Sequence, residues 1–274
     1  MKKSVKILLS MFGAAAILSA GFALGQRTTA DERRVYIADE NLRAAIIDEA
    51  RWNPETGEEE IIENELPTVD QVARIEMIDF SDVRSLEGVQ YIKDARRFSY
   101  SVTRNDVIDF RPLSEMENLE ELYIYSSEEY GHKPLDISSF GNLSNLRRLD
   151  LNYYAQVLDF SSLSSLENLE TLNATGGGMI ELSPLYVSRE TREAIIGHPV
   201  TYSTQFDGER SVFADLVDTN GAYTFDVEVS LDGDKVTVSD LDVNTARIEF
   251  TFYASAETAG FGARTGCSLP IIWY

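Results

Sequence analysis

Cysteine is almost absent: the 274-residue chain holds one, Cys267. No internal disulfide can form, so the fold has to rest on apolar packing, for which 43% hydrophobic residues suffice. Histidine is nearly as scarce, with only His132 and His198. Neither has a Cys, Ser or Asp partner at the spacing that catalysis or metal ligation needs, which points away from an enzyme. Positive charge is short as well. There are 24 Lys and Arg against 46 Asp and Glu, a formal net charge of −22. Phosphate contacts need clustered cations, so nucleic acid is not an expected partner. The acidity fits solubility outside a cell, or attraction to a basic partner.

Long apolar runs are missing too, except at the start. Lys2, Lys3 and Lys6 precede an almost uncharged stretch over residues 7–23, with small residues at Ala20, Gly21, Ala23 and Gly25. This reads as a secretory leader over residues 1–25, cut near Ala23 or Gly25, and predicts an exported chain with no membrane span in its mature form. With no second hydrophobic span, sorting motif or basic tail, the expectation is a secreted or non-covalently surface-associated product.

The remaining chain divides by pattern. Residues 26–76 read as a helical cap and acidic loop. Asp39 is placed to cap a short amphipathic helix with Leu42, Ala45 and Ile46 on one face. Glu55, Glu58, Glu59, Glu60, Glu63 and Glu65 then form a solvated loop or loosely held helix, and Thr68 opens a second helix.

Over residues 77–187 the sequence repeats itself. Met77-Ile78-Asp79-Phe80, Val107-Ile108-Asp109-Phe110, Leu135-Asp136-Ile137-Ser138, Leu158-Asp159-Phe160-Ser161 and Ile180-Glu181-Leu182-Ser183 read as one motif, its acidic residue recurring at spacings of 30, 27, 23 and 22. A second motif places apolar residues at every third position and then every second: Leu113, Met116, Leu119, Leu122, Ile124; Phe140, Leu143, Leu146, Leu149, Leu151; Leu163, Leu166, Leu169, Leu172, Ala174. A weaker copy begins at Leu86, Val89 and Ile92, and Asn118, Asn145 and Asn168 precede the third apolar residue of the clear copies. A period of three makes one face of a tight turn, and a period of two makes a strand. Each unit covers only one side of its apolar face, so neighbours must stack into an α/β solenoid with parallel strands on the concave side.

These motifs resemble the internalin-type leucine-rich repeats of Gram-positive surface proteins. Ile37-Ala38-Asp39-Glu40-Asn41-Leu42 is similar to the helical cap of such arrays, and the resemblance covers roughly residues 35–187. It implies a binding scaffold and an Asn ladder on the turn after each strand. Gly177 and Tyr154 stand at that place in the last two copies, and the upstream repeats carry extra residues around 99–104 and 127–133.

Residues 188–274 break the repeat. A short helix is predicted from Ser188 to Ile196, ending at Gly197 before His198-Pro199. Alternating segments come next at Val200 to Ser203, Tyr223 to Val229, Lys235 to Val238 and Arg247 to Tyr253, with turns at Asn220-Gly221 and Asp232-Gly233-Asp234. This is an antiparallel all-β module, a small sandwich. The internalin resemblance implies an immunoglobulin-like domain here.

Weak chemical signals are set aside on their spacing. Asp232, Asp234, Asp240, Asp242 and Asn244 could ligate calcium but lack a loop register, and Gly176-Gly177-Gly178 has no following Lys of a phosphate loop. Cys267 reads as a buried thiol, and no cofactor or metal is expected. Residues between the strand leucines should instead face outward: Glu121, Tyr123 and Tyr125; Arg148, Asp150 and Asn152; Thr171, Asn173 and Thr175. Tyrosine, arginine and mixed hydrogen-bonding groups are the residue mix of recognition surfaces. The expected function is a secreted or surface-associated protein offering this face to a protein or glycan. The alternative is a spacer of the cell envelope with no dedicated ligand.

Overall fold

A computed structural model describes residues 33–102, 108–126, 134–152, 156–258 and 260–274. The expected leader, Val107, His132 and Tyr154 lie outside these residues. No helix among the described residues is long and apolar enough to cross a membrane. The fold is rich in β-strands.

Helix α1 (Glu40–Ala50) begins where the Asp39 carboxylate accepts the N–H groups of Asn41 and Leu42, and it buries Leu42, Ile46, Ile47 and Ala50. The second Asp39 oxygen accepts the Arg84 N–H at 2.7 Å, tying this cap to a segment 45 residues further along the chain. The acidic stretch is largely exposed, as expected, and ends in a short 3-10 turn over Glu63–Glu65, but its first part is more ordered than a loop. It forms a hairpin of β1 (Trp52–Asn53) and β2 (Glu58–Glu59), because the Glu60 carboxylate just beyond accepts bonds from Arg74, Gln71 and Asn53. Helix α2 (Val69–Ala73) carries a reciprocal cap between Thr68 and Gln71.

Strands β3 (Met77–Ser81), β4 (Arg97–Val102), β5 (Glu121–Ser126), β6 (Arg148–Asp150) and β7 (Thr171–Ala174) pair in parallel, each with the next. Ile78, Phe98, Leu122, Leu149 and Leu172 lie in one register, all buried. A single 3-10 turn precedes β4, β5, β6 and β7. The recurrent acid explains three of these turns: Asp109, Asp136 and Asp159 accept the N–H two residues on, at 3.0, 2.9 and 2.8 Å.

Three expectations are corrected in this region. Met77 to Phe80 is strand β3, not a copy of the turn motif. Leu86 takes the place of Phe110, since its carbonyl accepts the Val89 N–H as that of Phe110 accepts Leu113. The first unit therefore runs Val89, Ile92, Ala95, Phe98, Tyr100. The side-chain amide ladder found among the described residues lies ahead of the strands: Asn118, Asn145 and Asn168 donate to the carbonyls of Lys93, Glu117 and Ser144 at 2.9, 2.8 and 2.9 Å.

Beyond the stack come β8 (Ile180–Glu181), β9 (Leu185–Val187), β10 (Ala194–Gly197), β11 (Arg210–Asp218), β12 (Tyr223–Val227), β13 (Ser230–Asp232), β14 (Lys235–Val238), β15 (Thr245–Ser255) and β16 (Phe261–Trp273). The helix predicted at 188–196 is overturned. Ala194 to Gly197 pairs antiparallel with β14, and its buried–exposed alternation with two isoleucines suits a strand. The strand predicted at Val200 to Ser203 is also absent; only Thr201 makes a bridge, parallel to Asp159.

Strand β16 joins the two halves. It pairs antiparallel with β15 and parallel with β7, β8 and β9, so nine strands of an 11-stranded sheet run in the order β12-β11-β15-β16-β7-β6-β5-β4-β3, with β8 and β9 attached to β16 off that path. A 3-stranded sheet, β10-β14-β13, shares its buried residues with the same core. Backbone pairing and core thus run across the expected boundary at 187 and 188.

Candidate functional site

The strand pairing places the outward side chains of β3 to β7 in rows. The first row is Met77, Arg97, Glu121, Arg148 and Thr171; the second is Asp79, Ser99, Tyr123, Asp150 and Asn173. A third holds Ser81, Ser101 and Tyr125, and beyond it Thr175 donates to Asn152 at 3.0 Å.

At the centre is a pair of stacked tyrosines, Tyr123 and Tyr125, with ring centroids 5.9 Å apart. Tyr123 is only 8% exposed. The Arg97 guanidinium covers its ring at 5.0 Å, and its hydroxyl donates to Glu121 at 2.9 Å. Arg148 lies near the same hydroxyl, whose influence raises the guanidinium pKa further. Burial, then the Glu121 contact, pushes the Tyr123 phenol above its ordinary range. Tyr123 is thus a post that orients its neighbours, while Tyr125, Arg148, Thr171 and Asn173 keep exposed surface. Burial raises the Asp150 carboxyl, opposed by the Asn152 N–H, Arg148 and Asn173.

The structure brings together all eight residues singled out in the sequence from Glu121 to Asn173, and adds Met77, Asp79, Arg97 and Ser99. Reading Met77 to Phe80 as a turn hides Met77 and Asp79, and following the weak copy no further than Ile92 hides Arg97 and Ser99. The signal for them is present in Phe98-x-Tyr100, the counterpart of Leu122-x-Ile124.

Just ahead of the strands lies a polar trough of about 770 Å³. Its floor row runs Glu76, Arg96, Glu120, Arg147, Glu170, alternating in sign, with Arg96–Glu120 at 3.4 Å and Arg147–Glu170 at 2.6 Å. Arg96 and Arg147 are thus each answered by a carboxylate in exposed pairs that contribute little to stability, and Asp94 and Glu167 add further negative charge to the trough.

The other signals resolve into structure. The carbonyls of Gly176, Gly177 and Gly178 converge on the buried Gln156 amide nitrogen at 2.7, 2.7 and 3.1 Å, and Gln156 Oε1 accepts the Gly266 N–H at 2.9 Å. A loop that points carbonyls inward repels phosphate. His198 lies half-buried against Phe252 at 4.7 Å and accepts the Val200 N–H, and burial lowers its pKa. Burial pushes the Cys267 thiol up to about 12, out of reach of nucleophilic chemistry. Asp242 accepts the Asn244 N–H and Asp240 pairs with Arg192. Among the described residues no His, Cys, Asp and Glu gather as a metal-ligand set.

No family model matches the chain, and no curated protein does. Among solved structures it is similar to the CBM51-2 and INT domains of Clostridium perfringens ZmpB in complex with GlcNAc, at 17% identity and TM-score 0.34, over 89% of this chain and 37% of that one. It is also similar to the functional domain of InlJ from Listeria monocytogenes, which includes a cysteine ladder, at 12% identity and TM-score 0.42, over 74% and 45%. Listeria monocytogenes InlP aligns at 8% identity and TM-score 0.22, over 85% and 96%. The chain thus spans less than half of the first two. The scores are low, so what the chain binds is read from its own side chains.

Proposed function

We propose that the chain is a binding protein of the bacterial surface or its surroundings. In this reading its stacked units are a short leucine-rich-repeat array of the internalin type with an N-terminal helical cap, and residues 188–274 form an immunoglobulin-like module. The outward face of β3 to β7 takes a protein or glycan partner, without catalysis.

The observation that carries this is the clamped tyrosine pair. Arg97, Glu121 and Arg148 fix Tyr123 before any partner arrives, so Tyr125 and the arginines are presented with little ordering left to lose. Such pre-ordered aromatic and arginine anchors dominate binding energies, often by about 2 kcal/mol or more each, about thirtyfold.

The test is a cross-linking pull-down from intact cells and secretions with the full chain and with the double variant Tyr125→Ala, Arg148→Ala. The proposal expects capture to fall at least about thirtyfold while circular dichroism stays unchanged. Equal capture by both proteins would favour a spacer role instead.

A further inference from the structure

The outward face of the large sheet does not end at β7. Because β16 pairs with β7 in parallel, the row through Asn173 continues to Gly262, and the exposed face passes onto β16, β15, β11 and β12. A groove of about 670 Å³ lies there, open to solvent and adjoining Thr175.

Two features mark it. The first is exposed aromatic surface. Phe213 is 51% and Tyr253 39% exposed, in an edge-to-face pair with centroids 5.7 Å apart. Beside them on the edge strand β12, Tyr223 and Phe225 stack at 5.3 Å, 44% and 66% exposed. Large rings left in water on one sheet face are unusual in a soluble fold unless something covers them. The second is charge. Glu209, Asp215, Asp226 and Glu249 line the groove and no Lys or Arg does. Arg247 answers Glu249 at 2.7 Å and lies over the Tyr223 ring at 5.9 Å, so the open rings are Phe213, Tyr253 and Phe225. Glu209, Asp215 and Asp226 have no ion pair among the described residues, Asp215 accepting only the Asp226 N–H at 3.0 Å.

We infer that this groove is a second binding site, for an extended peptide segment bearing lysine or arginine. Carboxylates beside exposed aromatic faces attract such side chains twice over, by ion pairing and by cation–π contact. A second copy of the chain is disfavoured as occupant by its net charge of −22. A neutral sugar would use the rings but leave the unpaired carboxylates without a counter-charge. The inference stands on residues of the C-terminal strands and is independent of the repeat face.

The test is fluorescence anisotropy with a labelled oligo-arginine peptide and the full chain. Phe213→Ala with Tyr253→Ala leaves the net charge untouched and should weaken binding at least about tenfold. Asp215→Asn with Asp226→Asn should do likewise, whereas Glu55→Gln with Glu58→Gln, the same charge change in the cap hairpin, should have no effect. Equal affinity for every variant would mean diffuse attraction to an acidic protein and would overturn the site. So would displacement of the peptide by a neutral oligosaccharide, or an equal loss in the Tyr125→Ala, Arg148→Ala variant.

Discussion

Single side chains hold the two halves of this molecule together. Gln156 is 1% exposed and bridges three carbonyls of the glycine turn to the backbone of β16. Gln156→Leu strips the buried Gly266 N–H and the Gly177 and Gly178 carbonyls of this partner, while the Gly176 carbonyl keeps the Arg264 guanidinium at 3.1 Å. Chemical denaturation should therefore show a loss of about 1–3 kcal/mol. In the cap, the Arg74 contact, together with those of Gln71 and Asn53, holds Glu60 at about 2 against an ordinary 4.5. A carboxyl with a depressed folded pKa stabilises fully above its ordinary value of 4.5, and that contribution drains as pH falls towards about 2. Glu60→Gln should therefore flatten the fall of Tm across that window, measured by thermal melts at stepped pH. Because the Glu60 side chain is 35% exposed, the change will be modest.

At the scale of the repeating unit, much is legible in the amino-acid order alone. The every-third-residue leucines, the strand register through Leu122, Leu149 and Leu172, and the caps at Asp39 and Thr68 come from short-range periodicity and hydrogen-bonding chemistry. The rest needs information from further away. Met77-Ile78-Asp79-Phe80 mimics the acidic turn motif, and only its pairing with β4 makes it a strand. The segment at Ala194 to Gly197 becomes a strand because β14 offers it partners. Arg97 joins the tyrosine cluster only through the register of β4. The asparagines ahead of each strand stand out in the sequence as a recurrence without a role, and in the fold they bond the unit before. Asn145→Ala should accordingly cost about 0.5–1.5 kcal/mol, and an equilibrium unfolding curve compared with an exposed control such as Glu167→Ala will show it.

The whole chain should unfold as one body. Its buried residues form a single connected core from Val35 to Leu269, and one ladder of strands crosses from repeat to module. The two tryptophans stand at opposite ends as reporters: Trp52 in the cap hairpin, and Trp273 in β16, bonded to the Thr245 carbonyl at 2.9 Å. Trp52→Phe and Trp273→Phe each leave one reporter, and their fluorescence midpoints in denaturant should coincide. Separated midpoints would show two independent domains. The alternating row Glu76, Arg96, Glu120, Arg147, Glu170 has a further consequence, for ancestry. Duplicating a single unit would set like signs side by side along the trough, whereas duplicating two together preserves the alternation. Natural lengthening or designed extension of this array should therefore succeed by doublets, with odd additions penalised.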